Sequence, residues 1–505
     1  MRNYWCFRFA AVACILFASE LAIAQAKSAA DGLIHEALRP SPMELNLRHL
    51  TDEIGGRVPG TPAMDRAVAW AVAGFKAAGA DRVQTEEFKL PHSWAEGATV
   101  VTVSSTGTST DAKLATVPPV EFRLRAVSIA LGPALAAKHV PVVDVGIGSA
   151  ADFKGAGDIS GKMILVHSDV LKTWEDLFNE YMTPPPIIAA AVKGNAKAIA
   201  FIATREHDIL YRHTNAQAGE IDKLPMIVVA REDGERVGRL LKTGHPVWAD
   251  LSIPNKIGGP ITAQNVIAEL RGREKPDEFV ILGAHLDSWE LGTGALDNGC
   301  NAALVIEVLR LLKVTGAPRR TIRFILFSGE EEGMIGSRAY ATAHRNELDN
   351  AAAVAVIDSG IGRVTGFSTG GRKDMVEPLR EMIAPLKQFG VEELKTDSVE
   401  WGTDHYDFLL EGVPTLVAEQ AEANYLENYH ATSDTFDKVD MAQLQKHVAD
   451  MAVVVYGIAN ARERIGPRLT HAQIDKILRD THSDEQMKLL GIWAEWESGK
   501  RGRAK

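Results

Sequence analysis

Short apolar runs alternate with helix-like patterns along the second half of the chain. Phe279–Leu282, Thr321–Phe327 and Ala351–Ile357 are apolar runs of the kind that buried strands have. After the first run, apolar residues from Ala302 to Leu312 recur at helical spacing, with charged residues on the opposite side. Strands that alternate with helices predict an α/β fold, in which helices wrap a mostly parallel sheet.

The pattern changes between residues 125 and 257. Short β-rich runs alternate there with Gly and Pro turns, and one helix pattern, Ile187–Lys193, stands out. This indicates a small β-rich domain inserted into a larger one, and we expect no metal-ligand cluster in it. Tyr181 and the run Pro184–Pro186 are interpreted as a rigid surface loop, with a substrate entrance as the alternative.

Polar side chains follow each apolar run at the point where the predicted strand ends. His285 and Asp287 follow the first run, and Asp297 lies on the loop before the helix. The carboxyl ends of parallel strands meet at one edge of a sheet, where α/β proteins bind ligands. A solvated acidic cluster would explain the glutamate run alone but not the whole set. The candidate ligand set is His285, Asp287, Asp297, Glu330, Glu331, Asp358, His430 and Asp434, which is large enough for two divalent ions that share a carboxylate.

Composition and charge narrow the class of protein. The 505 residues are 46% hydrophobic and 24% charged, with a net charge of −11 and no basic block, so nucleic acid is not an expected partner. Residues 1–24 have the charged start, short apolar core and small-residue cleavage site of a secretory signal, too short to span a membrane. We therefore expect an exported protein, periplasmic or extracellular, in which Cys300 alone remains and serves as a small packing residue.

The order of these motifs resembles a known family. His285-x-Asp287, Gly-Ala-Leu-Asp297-Asn-Gly, Glu330-Glu331-x-Gly-x-x-Gly-Ser, Ile-Asp358-Ser-Gly and Tyr-His430-x-x-x-Asp-Thr are similar to the co-catalytic zinc exopeptidases related to secreted bacterial aminopeptidases. The plasma glutamate carboxypeptidase subgroup is the most similar. The resemblance implies hydrolysis of short peptides, with two zinc ions that cobalt or manganese can replace. It also implies that the inserted domain is a protease-associated domain.

The resemblance also implies a role for each residue. Asp297 would bridge the two ions, His285 and Asp358 would complete one site, and Glu331 with His430 would complete the other. Glu330 would act as the general base, and Asp287 would orient His285. His405, in a Thr-Asp-His loop, would contact the substrate and donate to the developing oxyanion; a structural histidine is the alternative.

Two other functions on the same scaffold stay open from the sequence. One is a glutaminyl cyclase-like enzyme with a single zinc ion, and the other is a non-catalytic, receptor-like ectodomain that has lost its ligands. The full ligand set disfavours both. The subgroup is Gly-rich after the bridging aspartate, where this chain has Asn298-Gly-Cys-Asn301, and this difference bears on substrate preference.

The predicted organisation has four parts. They are a signal peptide at 1–24, a catalytic domain at 25–124 and 258–465, an insertion at 125–257 and a helical extension at 466–505. Aromatic residues late in the extension would pack on the body or at a homodimer contact. We expect the basic end, residues 500–505, to be disordered.

Overall fold

The computed structural model describes residues 29–106, 119–215 and 218–505, so the predicted signal peptide lies outside the described residues. The strands are β1 (Arg82–Leu90), β2 (Trp94–Ala95), β3 (Val100–Ser105), β4 (Val120–Leu124), β5 (Ala126–Ser128), β6 (Leu135–Asp144), β7 (Met163–Val166), β8 (Ala198–Ile202), β9 (Met226–Val229), β10 (Val247–Ile253), β11 (Lys256–Ile257), β12 (Ile261–Leu270), β13 (Lys275–His285), β14 (Arg320–Phe327), β15 (Ala351–Val356), β16 (Val364–Ser368), β17 (Glu393–Lys395) and β18 (Thr415–Gln420).

The helices are α1 (residues 29–37), α2 (Met43–Arg48), α3 (Pro62–Ala77), α4 (Ala150–Ala156), α5 (Trp174–Met182), α6 (Pro184–Lys193), α7 (Arg231–Lys242), α8 (Cys300–Thr315), α9 (Ile335–Ala343), α10 (Val376–Ile383), α11 (Tyr406–Leu410), α12 (Tyr425–Asn428), α13 (Met441–Asn460), α14 (His471–Asp480), α15 (Ser483–Leu489) and α16 (Trp493–Glu497). Shorter helical turns are His49–Ile54, Ala295–Gly299, Leu348–Asn350, Lys373–Met375, Ala384–Phe389 and Phe436–Lys438. Among the described residues, no helix combines the length and apolar character needed to cross a membrane.

The larger part of the chain is built on an eight-stranded sheet in the order β1-β12-β14-β13-β15-β18-β16-β17. β14, β13, β15 and β18 run parallel at its centre. Side chains of β13 alternate between two apolar layers: Val280 and Leu282 join α8 and α13 in one, whereas Phe279 and Ile281 join Phe408 of α11 in the other. Both faces of the sheet are therefore covered, and the predicted α/β class is confirmed.

A second eight-stranded sheet, in the order β4-β3-β10-β6-β7-β8-β9-β5, forms the insertion. The sequence places its start at residue 125, but β3 and β4 pair within this sheet, so the structural boundary lies before Val100. It is also less purely β than expected, because β6 to β9 are parallel and α4 to α7 lie between its strands. We call described residues 96–255 the insertion and the rest the core module. The chain enters the insertion after β2 and leaves it before β11, and these two short strands pair with each other.

The C-terminal extension is helical, as predicted, and it packs on the core module. Trp496 is fully buried in an apolar cluster that includes Tyr406 and Leu410 of α11. Beyond it, Arg501 donates two hydrogen bonds of 2.8 Å to the carboxylate of Asp407, and both residues are buried. The expectation of a disordered end is therefore wrong at Arg501, because a buried carboxylate on α11 holds its guanidinium in place.

Candidate metal centre

The candidate ligands lie together because the strands that carry them are neighbours. His285 is the last residue of β13, and Glu331 and Asp358 lie in the loops that follow β14 and β15. These three strands are adjacent and parallel, so their carboxyl ends meet at one edge of the sheet. Asp297 lies in the helical turn Ala295–Gly299, which leads from this edge into α8.

Two groups of donor atoms share Asp297. His285, Asp297 and Asp358 form one group, and Asp297, Glu331 and His430 form the other, with the donor atoms of each group within 4.8 Å of one another. The His285 Nε2 atom lies 3.1 Å from Asp297 Oδ1 and 3.1 Å from Asp358 Oδ1. His430 Nε2 lies 3.1 Å from Asp297 Oδ2 and 2.8 Å from Glu331 Oε2. The two oxygens of one carboxylate thus face two separate groups.

The other ring nitrogen of His285 is held by Asp287, but mainly through the backbone. His285 Nδ1 lies 3.0 Å from the Asp287 carbonyl oxygen and 3.8 Å from its carboxylate. The Asp287 carboxylate instead accepts a hydrogen bond of 3.2 Å from the backbone N–H of Glu331. Asp287 therefore connects the two strand ends, and the carboxylate-to-imidazole contact expected from the sequence is secondary.

Asp434 belongs to neither group of donor atoms and has a structural role instead. Its carboxylate accepts backbone hydrogen bonds from Ala295 at 3.0 Å, Leu296 at 2.7 Å and Asp297 at 3.2 Å. Burial raises the pKa of Asp434 to about 7. These bonds fix the turn that carries Asp297, so Asp434 positions the shared carboxylate without joining the donor set.

Arg57 is a second side chain that holds the loop before Asp297, and its contacts could not be predicted from the sequence. Its guanidinium is fully buried and donates to the carbonyl oxygens of Leu286, Thr293 and Gly294, the last two at 2.9 Å. Burial lowers the pKa of Arg57 to about 10, against the opposing influence of Asp434, Asp287 and other nearby carboxylates. A charged side chain from the N-terminal region therefore fastens the loop between His285 and Asp297.

The electrostatics of the site favour cations. The Glu331 side chain is buried, and its Oε2 lies 2.8 Å from His430 Nε2. Burial opposes a charge on His430, yet the neighbouring carboxylates of Glu331 and Asp297 raise its pKa to about 9. Several carboxylates buried together are costly unless a cation compensates their charge, and the donor set is of the kind that binds divalent ions.

A cavity of about 540 Å³ opens onto both groups. Asp297, Glu330, Glu331, Asp358 and His430 line it. Burial raises the pKa of Glu330 well above its ordinary value, and the nearby charges of Asp358, Asp404 and Glu331 add to this while His285 opposes it. Glu330 is thus a carboxyl group beside the donor atoms but outside both groups.

The insertion supplies one wall of this cavity. Trp174, Leu177, Phe178 and Tyr181 recur at helical spacing on α5, and all four line the cavity. The Tyr181 hydroxyl lies 2.5 Å from the hydroxyl of Tyr429, which precedes His430. The interpretation of Tyr181 as part of a surface loop is therefore wrong, because α5 turns it toward the site, and Pro184–Pro186 begin helix α6.

The insertion also holds the segment that carries His430. The backbone N–H of Arg212 donates to the His430 carbonyl oxygen at 3.0 Å, and the Thr432 N–H donates to the Leu210 carbonyl oxygen at 2.9 Å. The Tyr429 ring stacks on the His430 ring with 3.7 Å between centroids. Sequence reasoning missed this support, because nothing in the separate segments shows that they pair.

His405 does not line the cavity, contrary to the expectation from its motif. Trp401, Gly402 and Thr403 of the same loop do. The His405 side chain is 1% exposed, and burial lowers its pKa to about 3, so the ring is neutral. In this structure it is an interior side chain, and the neighbouring residues of the loop face the cavity instead.

Comparison with known proteins agrees with this geometry. Residues 265–455, which include both donor groups, match the model of peptidase family M28. The chain is 27% identical to mouse carboxypeptidase Q over 423 residues, which cover 82% of this chain and 85% of that protein. It is 26% identical to aminopeptidase YwaD of Bacillus subtilis over 295 residues, 58% of this chain and 56% of the relative.

Solved structures share the fold. A peptidase M28 precursor from Shewanella amazonensis SB2B superposes with a TM-score of 0.79 at 25% identity, covering 88% of this chain and 99% of that one. A zinc aminopeptidase from Bacillus subtilis superposes with a TM-score of 0.62 at 20% identity, covering 85% and 97%. Residues 265–455 therefore form a peptidase family M28 domain, and the chain is a metallopeptidase.

Proposed function

We propose that this chain is an exported zinc exopeptidase that hydrolyses short peptides with two metal ions. The observation that carries the proposal is the position of Asp297, whose two oxygens face the two histidines at 3.1 Å each. A carboxylate in that position can be shared by two cations. Zinc is the ion named for the B. subtilis aminopeptidase of the same fold.

The residues fit two ions of this kind. His285 and Asp358 would hold one with Asp297, and Glu331 and His430 would hold the other with Asp297. Three protein ligands per ion leave room for water or substrate, as catalytic zinc sites require. Cobalt or manganese could replace zinc, since imidazole and carboxylate ligands accept both.

Bound divalent ions would polarise the scissile carbonyl and lower the pKa of the attacking water. Glu330 lines the cavity beside both groups and is our general base. Its raised pKa suits a carboxylate that takes a proton from water near neutral pH. Glu330 would then pass this proton to the leaving amine as the C–N bond breaks, so that water is divided between the two products.

Tyr429 is a further candidate for the reaction. Tyr429 lines the cavity next to His430, and burial raises the pKa of its hydroxyl well above the ordinary value, so the hydroxyl stays protonated. A protonated hydroxyl can donate a hydrogen bond to the carbonyl oxygen as negative charge develops there. In the sequence analysis, Tyr429 appears only as the residue before the predicted ligand His430, without a role of its own.

The cavity favours short peptides with a free amino group. Its walls come from both modules and enclose about 540 Å³, which suits a few residues rather than a folded chain. Lys395 lines the cavity, but its ammonium lies 2.5 Å from the Glu419 carboxylate. Glu393 and Glu400 add further negative charge, which matches a substrate ammonium better than a carboxylate.

The metallopeptidase assignment excludes a non-catalytic, receptor-like role. A glutaminyl cyclase-like enzyme with a single zinc ion would use only one of the two groups of donor atoms. Elemental analysis of the purified mature protein should approach two zinc ions per chain, with dipeptide hydrolysis lost on chelation and restored by zinc. A fully active protein with one ion would contradict the two-metal proposal. N-acetylation of the dipeptide should abolish hydrolysis, whereas C-amidation should leave it measurable.

Export is proposed from residues 1–24 alone. The protein recovered from its source cell should begin near Gln25 and lie outside the cytoplasm. Intact Met1 on cytosolic protein would contradict it.

A further inference from the structure

A second cavity, of about 410 Å³, lies within the insertion. Helix α5 separates it from the cavity at the metal centre. Tyr181 lines the first cavity, whereas Asp176, Asn179 and Glu180 of the same helix line the second. None of the candidate metal ligands lines this second cavity, so the proposed peptidase reaction does not explain its presence.

The body of the second cavity is apolar. Val166, Phe201 and Val228 from three neighbouring parallel strands line it, and Ile187 of α6 lines it as well. Val166, Val228 and Ile187 are buried, and Phe201 is partly buried. Aliphatic walls of this kind favour a ligand with an aliphatic body, because contact with them removes apolar surface from water.

Two buried polar side chains with unpartnered atoms also line the cavity. Glu180 is 8% exposed and His213 is 4% exposed, and both line the cavity. Within the described residues, Oε2 of Glu180 and Nδ1 of His213 have no hydrogen-bond partner. The other carboxylate oxygen of Glu180 accepts hydrogen bonds from Thr204 and Arg205. Buried polar atoms normally have partners, so these two indicate a ligand or water that supplies them.

The mouth of the cavity is open and acidic. Asp169 and Thr183 lie there on exposed positions, and Asp176 adds a second carboxylate. Burial lowers the pKa of His213 to about 4, so its imidazole adds no positive charge at neutral pH. Arg205 pairs with Glu180 and offsets its charge, so it is the carboxylates of Asp169 and Asp176 that attract a cation and repel an anion.

We propose that this cavity binds a small aliphatic amine, with the alkyl chain between the strands and α6 and the ammonium group against Oε2 of Glu180, while Asp169 and Asp176 attract it to the mouth. An ammonium group supplies up to three donors, and Oε2 of Glu180 is a buried acceptor that lacks one. The volume is ample for a chain of about six carbons and its first hydration shell. This site is independent of the proposed peptidase function.

Isothermal titration calorimetry of the metal-loaded protein tests the site with n-hexylamine, n-hexanol and hexanoate. We expect hexylamine to bind, hexanol to bind more weakly and hexanoate not to bind. Asp169→Lys should weaken hexylamine roughly 3- to 10-fold by reversing a charge at the mouth. Thr183→Trp should abolish binding by placing an indole over the opening.

The matched control is Glu121→Lys, which makes the same charge change on an exposed position of β4, the far edge strand of the same sheet. It should bind hexylamine like the unmodified protein. Both test positions are exposed, so the variants should fold, and unchanged melting temperatures would verify this. Absence of hexylamine binding, equal binding of hexanol, or undiminished binding in Thr183→Trp would each overturn the proposal.

Discussion

The hydroxyl groups of Tyr181 and Tyr429 lie 2.5 Å apart, and they belong to different modules of the chain. Tyr429 in turn stacks on His430. Tyr181→Phe should reduce kcat roughly 3- to 10-fold, the usual contribution of one hydrogen bond, with little change in metal content. Steady-state kinetics and elemental analysis measure both. Tyr456→Phe on α13 is the matched control and should leave both unchanged, and equal kcat in the two variants would contradict a role for the pair.

Glu330→Gln separates the general base from the metal ligands. The amide keeps the size of the side chain but cannot accept a proton, so kcat should fall roughly 10²- to 10⁴-fold with zinc retained. KM should change little, because the lost interaction belongs to the transition state. Glu332→Gln is the control, since Glu332 is also buried but does not line the cavity. Near-normal turnover in Glu330→Gln, or loss of zinc, would contradict the assignment.

Asp297→Ala should lose metal as well as activity. Removing the carboxylate that both groups share leaves each with two protein donors, and two bound cations would face each other without it. Elemental analysis after dialysis is the measurement, with Asp277→Ala, at an exposed position of β13, as control. Retention of two ions by Asp297→Ala would show that the carboxylate is not shared.

Arg501→Ala should destabilise the protein by about 3–5 kcal/mol, because it leaves the buried carboxylate of Asp407 without its charged partner. Thermal unfolding measures the loss. Replacement of the neighbouring exposed Lys500 by alanine should have no such effect. The double variant Arg501→Met with Asp407→Leu should recover much of the loss, and equal losses in the single and double variants would contradict the pairing.

Asp450 on α13 should make stability depend on pH. It is 1% exposed, and burial raises its pKa from 3.8 to about 8. Between these values the unfolded chain releases a proton that the folded chain keeps, so this residue lowers stability as pH rises from about 4 to about 8. Asp450→Asn should therefore raise the free energy of unfolding by up to about 6 kcal/mol at pH 8.5 but not at pH 4, and melting temperatures at the two pH values measure this. Asp277→Asn is the exposed control, and an equal gain at both pH values would contradict the prediction.

The strand ends and the donor residues could be predicted from sequence because local signals carry them. An apolar run followed by Gly and a carboxylate marks the carboxyl end of a buried strand, and parallel neighbours bring such ends together. His285, Glu331 and Asp358 meet for this reason. Their roles as metal ligands stay predictions until metal is measured.

Other features depend on tertiary contacts that leave no local trace. Arg57 donates to the carbonyl oxygen of Leu286, 229 residues away, so this contact could not be predicted from the local sequence around Arg57. The start of the insertion was predicted at residue 125, where the composition changes. The structural boundary is earlier, because β3 already belongs to the sheet of the insertion. His405 lies in a motif that places its loop near the site, but a motif does not say which side chain of the loop faces inward.

Helix α5 lies between a capping box at Thr173 and the proline-rich start of α6, and its inward face forms a wall of the cavity. Trp174 and Phe178 are each 37% exposed and do not belong to the core of either sheet. Their replacement would reshape the cavity while leaving the donor residues and both sheets in place. Replacements on this one helix face should therefore change which substrates fit the cavity, while the metal content stays the same.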